Sequence, residues 1–228
     1  MITRLELLKF KADEFYSSCL KALMEKADEK AVDGDLWRSF MQDSPDPVEV
    51  IHAEACKKLR ESVEESQAET SCRKLQHTAN LVVLLEIWAR TIEPALSRYP
   101  EILKDKKLRQ AQAVNIFRMC HNVLERGSAR YGACKDSAFG QFDYTADETG
   151  LSRDRVILTG IWRKLWLICP QNRVANIGAA NLDMPHDMED VADCVNLILF
   201  LWLSKKDQSE VLPTPKPRKQ TKRGQGRD

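Results

Sequence analysis

Asp193 stands inside an apolar run, with Val191 and Ala192 before it and Cys194, Val195 and Leu197 after it, so the helical pattern is expected to bury its carboxylate. A charge removed from water needs a partner. Lys164, on the preceding helical segment, is the natural one. Two readings stay open at this point: a purely structural ion pair, or a phosphate or metal site whose charge these groups balance. Asn196 lies one turn beyond Asp193. Asp187 and Asp190 fall at the cap and third position of the same segment, where carboxylates satisfy free amides and complement the helix dipole. Capping accounts for both without a ligand, and metal binding by Asp190 is the alternative. Tyr131 and Gly132 form either a turn over a base or a simple link between two helices.

Other catalytic arrangements find no residues. There is no GxSxG, no Walker-type glycine loop, no HExxH, and no Cys and His pair placed as nucleophile and base. The seven cysteines (Cys19, Cys56, Cys72, Cys120, Cys134, Cys169 and Cys194) are scattered singly, mostly at apolar positions, as reduced buried thiols are. With no CxxC pair, and with His52, His77, His121 and His186 off finger spacing, no zinc site is expected. Phosphate chemistry by acids and lysines is the enzyme class that keeps named residues.

Composition permits a real core: 228 residues, 43% hydrophobic and 30% charged. Lys+Arg 35 against Asp+Glu 34 leaves a net charge of +1, so attraction to nucleic acid must be local. Charges at Arg4, Glu6, Lys9 and Lys11 interrupt the apolar start, which argues against export and for a cytoplasmic protein. The most apolar stretch, Val191 to Leu203, is shorter than the ~20 residues of a membrane span and contains Asp193 and Asn196. No membrane partner is expected.

The elements that must position these groups are all helices. Leu5, Leu8, Ala12, Phe15, Cys19 and Ala22 recur at steps of three and four, a stripe that fades around Asp28 to Asp35. Asp46-Pro47-Val48-Glu49 starts a second helix with Ile51, Ala55, Leu59 and Val63 inward, and the polar run Glu64 to Ser71 makes a turn. Leu75 to Trp88 forms a third, central helix that ends before Pro94. A fourth runs from about Lys104, with Leu108, Ala113, Phe117, Cys120 and Leu124 inward, to Gly127, which suits a left-handed end. Ala133 to Gly150 is a long loop expected to hold a lid or an added turn. Ser152 caps a fifth helix along Val156, Ile157, Gly160, Ile161, Leu165 and Ile168, and Asp187 caps a sixth that runs to about Ser204. The five tryptophans (Trp37, Trp88, Trp162, Trp166 and Trp202) are expected in the core. No segment alternates at a strand's period, so the fold class is an all-α helical bundle. From Pro213 the chain has no bulky apolar residue and carries Lys216, Arg218, Lys219, Lys222, Arg223 and Arg227. It reads as a disordered basic tail, either merely solvated or contacting nucleic acid or an acidic partner.

The two halves repeat in order. Lys57-Lys58-Leu59 precedes Lys74 to Val82 and Ile87-Trp88, as Arg163-Lys164-Leu165 precedes Met188 to Val195 and Leu201-Trp202. On that alignment Lys58 answers Lys164, and Asn80 answers Asp193. The division is residues 1–100 as a degenerate helical repeat, 101–206 as the repeat with the candidate site, and 207–228 as tail.

The second half, through Glu125 to Gly132 (ERGSARYG), Arg163 to Leu165 (RKL) and Glu189 to Asp193 (EDVAD), resembles the all-α nucleoside triphosphate pyrophosphohydrolase superfamily, with its MazG-like, dimeric dUTPase and phage nucleotide-modification-associated branches. The resemblance implies a nucleotide ligand, with Lys164 and Asp193 in the catalytic positions. It also implies Mg²⁺ on Asp190, Asp193 and Glu189, and Arg163, Arg130, Tyr131 and Asn196 around the substrate. The family's EExxE pair is missing beside Lys164; Glu61, Glu64, Glu65 and Glu69 come nearest, in a polar turn. The competing expectation is a non-catalytic helical interaction module, of phage or mobile-element type, acting through its basic tail. The oligomeric state is open.

Overall fold

The computed structural model describes residues 4–33, 47–91, 106–131, 139–168 and 186–210. These residues hold seven helices and no strand: α1 (Arg4–Asp33), α2 (Pro47–Glu64), α3 (Ala68–Thr91), α4 (Lys106–Tyr131), α5 (Gly140–Thr149), α6 (Arg153–Ile168) and α7 (His186–Glu210). The protein is an all-α bundle. Among the described residues no helix is long and apolar enough to cross a membrane.

The apolar stripes decide the packing. Leu8, Ala12, Phe15, Tyr16 and Cys19 bury one side of α1, and Ala113, Ile116, Phe117, Cys120 and Leu124 do the same for α4. α3 and α7 are buried over most of their circumference and pack on each other, so both are central. Each is flanked by its hairpin partner, α2 beside α3 and α6 beside α7. α1 contacts α3 and α4, α4 contacts α7, and the short α5 lies on α6. Phe15 meets Trp202 with ring centroids 5.3 Å apart, and Tyr16 stacks on Phe117 at 5.4 Å. The first and last helices thus share one core.

Several boundaries differ from the sequence reading. α1 continues to Asp33, past the point where its stripe fades. The turn between α2 and α3 is confined to 65–67, because Ser71 is not a turn residue: its hydroxyl donates to the Ser62 carbonyl at 2.7 Å and joins the two helices. Ser62 is buried there and Val63 is exposed, one position off the expected stripe. Gly127 lies within α4 and not at its end; a Cβ there would meet nothing within 4 Å. The left-handed glycine is Gly150, φ 68°, which closes α5 inside the expected loop. α7 begins at His186, so Asp187 lies inside its first turn and not at the cap, and the helix extends to Glu210. Trp202 is buried and Trp162 partly so, but Trp166 is 60% exposed, contrary to expectation. Trp37, Gly132, the 169–185 connection and the basic tail lie outside the described residues, as does the side chain of Trp88.

Candidate functional site

α6 approaches α7 closely at Gly160. A Cβ there would stand 3.1 Å from Cδ1 of Leu197, tighter than ordinary van der Waals contact, so the missing side chain sets the helix spacing. One turn further along, Lys164 projects from α6 toward α7. Its Nζ donates to Asp190 Oδ1 at 2.6 Å and to Asp193 Oδ2 at 2.7 Å. The three side chains are 22%, 26% and 41% exposed, respectively.

The partial exposure corrects the expectation that Asp193 is buried. α7 packs against α3, α4 and α6 along Val191, Ala192, Cys194, Val195, Ile198 and Leu199, all fully buried. That leaves a narrow strip, Glu189, Asp190, Asp193, Leu197 and Phe200, at helical spacing and open to varying degrees. Apolar neighbours in sequence therefore do not enclose Asp193, since they point to other sides of the helix. Burial, the largest influence on Lys164, pulls its pKa down; the hydrogen bonds and charges of Asp190 and Asp193 outweigh it and leave the ammonium above its ordinary value.

The remaining expected site residues are dispersed. Glu189 turns to Arg126 of α4, 3.3 Å away, and does not join the two aspartates. Arg163 neighbours Lys164 and is exposed. Arg130 and Tyr131 form the last turn of α4, and their side chains lie outside the described ones. Asn196 lies in the core, away from the open strip. Its Nδ2 donates to the Cys120 carbonyl at 2.9 Å, and its Oδ1 accepts from the Tyr16 hydroxyl. An amide engaged at both ends in the interior ties helices together and lies away from any ligand on the open strip.

Among the described residues no three His, Cys, Asp or Glu side chains converge as a metal site. Asp190 and Asp193 alone fit magnesium in type and in number, because magnesium takes one or two carboxylates with phosphate and water completing its shell. Glu189 does not fit that set.

In the first half, Lys58, expected to answer Lys164, pairs with Glu61 at 2.9 Å and Glu54 at 3.5 Å on its own helix. Asn80 is buried, with its Nδ2 donating to the Cys19 carbonyl at 2.8 Å. The contact that sequence reasoning missed is the Gly160 and Leu197 approach, although a glycine in the middle of an apolar stripe was its signature. Comparisons of the chain with protein-family models, with curated proteins and with solved structures find no match.

Proposed function

We propose that the α6–α7 edge of the second half binds the phosphate end of a nucleotide. The observation that carries this reading is the Lys164 ammonium, held between two aspartates that stay open to water. A lysine wanted only for the core would gain little from partners left partly open, since solvent screens them. A lysine held ready beside carboxylates suits an anion that arrives with its own counter-ion. With Asp190 and Asp193 holding Mg²⁺, Lys164 is released to face phosphate, and the exposed Arg163 adds a second cation. Bound magnesium would supply charge neutralisation at phosphorus; the chain's own part is to orient the phosphates with Lys164 and Arg163. Pyrophosphohydrolysis is the reaction that the resemblance suggests, and the absent EExxE pair argues for binding over turnover.

A second reading is favoured by the ion pairs themselves. Charges satisfied at 2.6 and 2.7 Å need no ligand, and the chain is then a helical interaction module whose basic tail meets nucleic acid or an acidic protein.

One experiment separates the two. Titrate deoxynucleoside triphosphates with Mg²⁺ against the full chain, following thermal shift and pyrophosphate release, in the wild type and in Lys164→Met and Asp193→Asn. The nucleotide reading expects a shift in the wild type that both variants lose. No shift with any nucleotide, or a shift unchanged in both variants, sinks it.

A further inference from the structure

Among the described residues, one buried side-chain polar atom has no hydrogen-bond partner: Oδ1 of Asn80. An orphaned acceptor in a core calls for an explanation. The equivalent atom on Asn196 accepts from the Tyr16 hydroxyl. The amide nitrogens of the two asparagines behave alike. Nδ2 of Asn80 donates to the carbonyl of Cys19, and Nδ2 of Asn196 to the carbonyl of Cys120.

We infer that the chain is built on an internal two-fold axis, with α1, α2 and α3 matched by α4, α6 and α7, and that Asn80 is orphaned because Phe117 stands where the axis calls for a second tyrosine.

The matched hydrogen bonds set the register. If Asn80 answers Asn196 and Cys19 answers Cys120, then Tyr16 answers Phe117, Phe15 answers Ile116 and Ala12 answers Ala113, all buried. Along the central pair, Leu75, Thr78, Ala79, Val82 and Val83 answer Val191, Cys194, Val195, Ile198 and Leu199, again all buried. Residues on an axis meet their own equivalents, and Tyr16 stacks on Phe117 with an interplanar angle of 29°. Each asparagine bonds a carbonyl of its own half. Tyr16 of the other half brings a hydroxyl to Asn196; on the inferred axis Phe117 takes the matching place opposite Asn80 and has no hydroxyl to bring.

This register corrects the alignment read from sequence, which set Asn80 against Asp193. His77 now answers Asp193, and Lys74 answers Asp190. On the flanking helices Ile51, Ala55 and Leu59 answer Ile157, Ile161 and Leu165, which keeps Lys58 opposite Lys164. The counterpart of the charge cluster is therefore Lys58, Lys74 and His77, with both acids gone. Lys74 is held by Glu65 at 2.9 Å and by the Glu61 carbonyl at 3.4 Å. The first half keeps the frame of the cluster without its carboxylates. The axis does not depend on what the second-half cluster binds.

The test is thermal unfolding of the full chain in three variants. Phe117→Tyr supplies the missing donor and raises Tm by about 2–4 °C, the shift that one added buried hydrogen bond gives in a chain of this size. Tyr16→Phe orphans Asn196 and lowers Tm. The swap, Tyr16→Phe with Phe117→Tyr, returns Tm to near that of the wild type, because it moves the orphan from one asparagine to the other. A Phe117→Tyr variant that gains nothing overturns the inference. So does a swap that stays as low as Tyr16→Phe alone or fails to fold.

Discussion

The cluster at Lys164 is a balance between burial and pairing. Replacing Lys164 with Met keeps the stem's apolar contact and leaves Asp190 and Asp193 facing each other one turn apart on α7. Water reaches both carboxylates, so the expected loss is about 1 kcal/mol in urea unfolding, well short of a sealed pair's cost. Because the folded-state pKa of Lys164 lies above its ordinary 10.5, the stabilisation is full at neutral pH and disappears as pH rises through the raised value. The wild type's advantage over Lys164→Met should be flat through neutral pH and shrink above about pH 10.5. An advantage that instead vanished in mild acid would place the stabilising titration on other groups. The sequence made this pair legible, since a lysine on one amphipathic helix and an acid on the next had few other partners. It did not reveal the exposure of Asp193, because hydropathy along a chain says nothing of which side of a crowded helix faces a gap between neighbours.

At the scale of elements, helix spacing decides whether Lys164 reaches its partners. Gly160→Ala gains about 0.5–1 kcal/mol of helix propensity. It also presses a methyl against Leu197, whose terminal carbon can yield by a few tenths of an ångström. The two effects oppose, so the net change in urea unfolding should stay within about 0.5 kcal/mol of zero. Gly160→Leu has no such relief. It should force α6 from α7, destabilise by about 1–3 kcal/mol, and cancel most of the effect of Lys164→Met when the two are combined. Additive losses in the double variant would show that helix spacing and the ion cluster are independent. Six of the seven described helices were readable from the stripes, and so was the start of α2 from Asp46-Pro47; α5 falls where a long loop was expected. The α2–α3 turn was read as too long because Ala68 to Ser71 looks polar; Ser71 in fact spends its hydroxyl on Ser62. Gly127 was misread as a stop since glycine ends a helix only where a left-handed residue is needed, and that role falls to Gly150.

Over the whole molecule, the ends of the described chain are tied together. Glu14 of α1 pairs with Lys206 of α7, and Lys206 also sits over the Trp202 ring, 4.7 Å from its centroid. The hydrogen bond from Lys206 holds the Glu14 carboxyl below its ordinary 4.5. A carboxyl so lowered stabilises the fold above its ordinary value and stops doing so as pH falls through the depressed one. Lys206→Ala should therefore lower Tm at neutral pH, and the difference from the wild type should close on acidification below 4.5. A difference constant down to pH 3 would assign Lys206 to the aromatic contact alone. The register inferred for the two halves could not be read from the sequence, because hydrogen bonds to Cys19 and Cys120 carbonyls leave no trace in hydropathy. The Tyr16 to Asn196 bond also fixes when the protein can complete its fold. Its partners lie 180 positions apart, so a nascent chain that has left the ribosome without α7 exposes the greasy flank of α3 and part of α1. A chain truncated after residue 185 should then be degraded rapidly in limited proteolysis, whereas one truncated after 210 should resist like the full chain. Equal resistance of both would mean that the first six helices settle without waiting for the last.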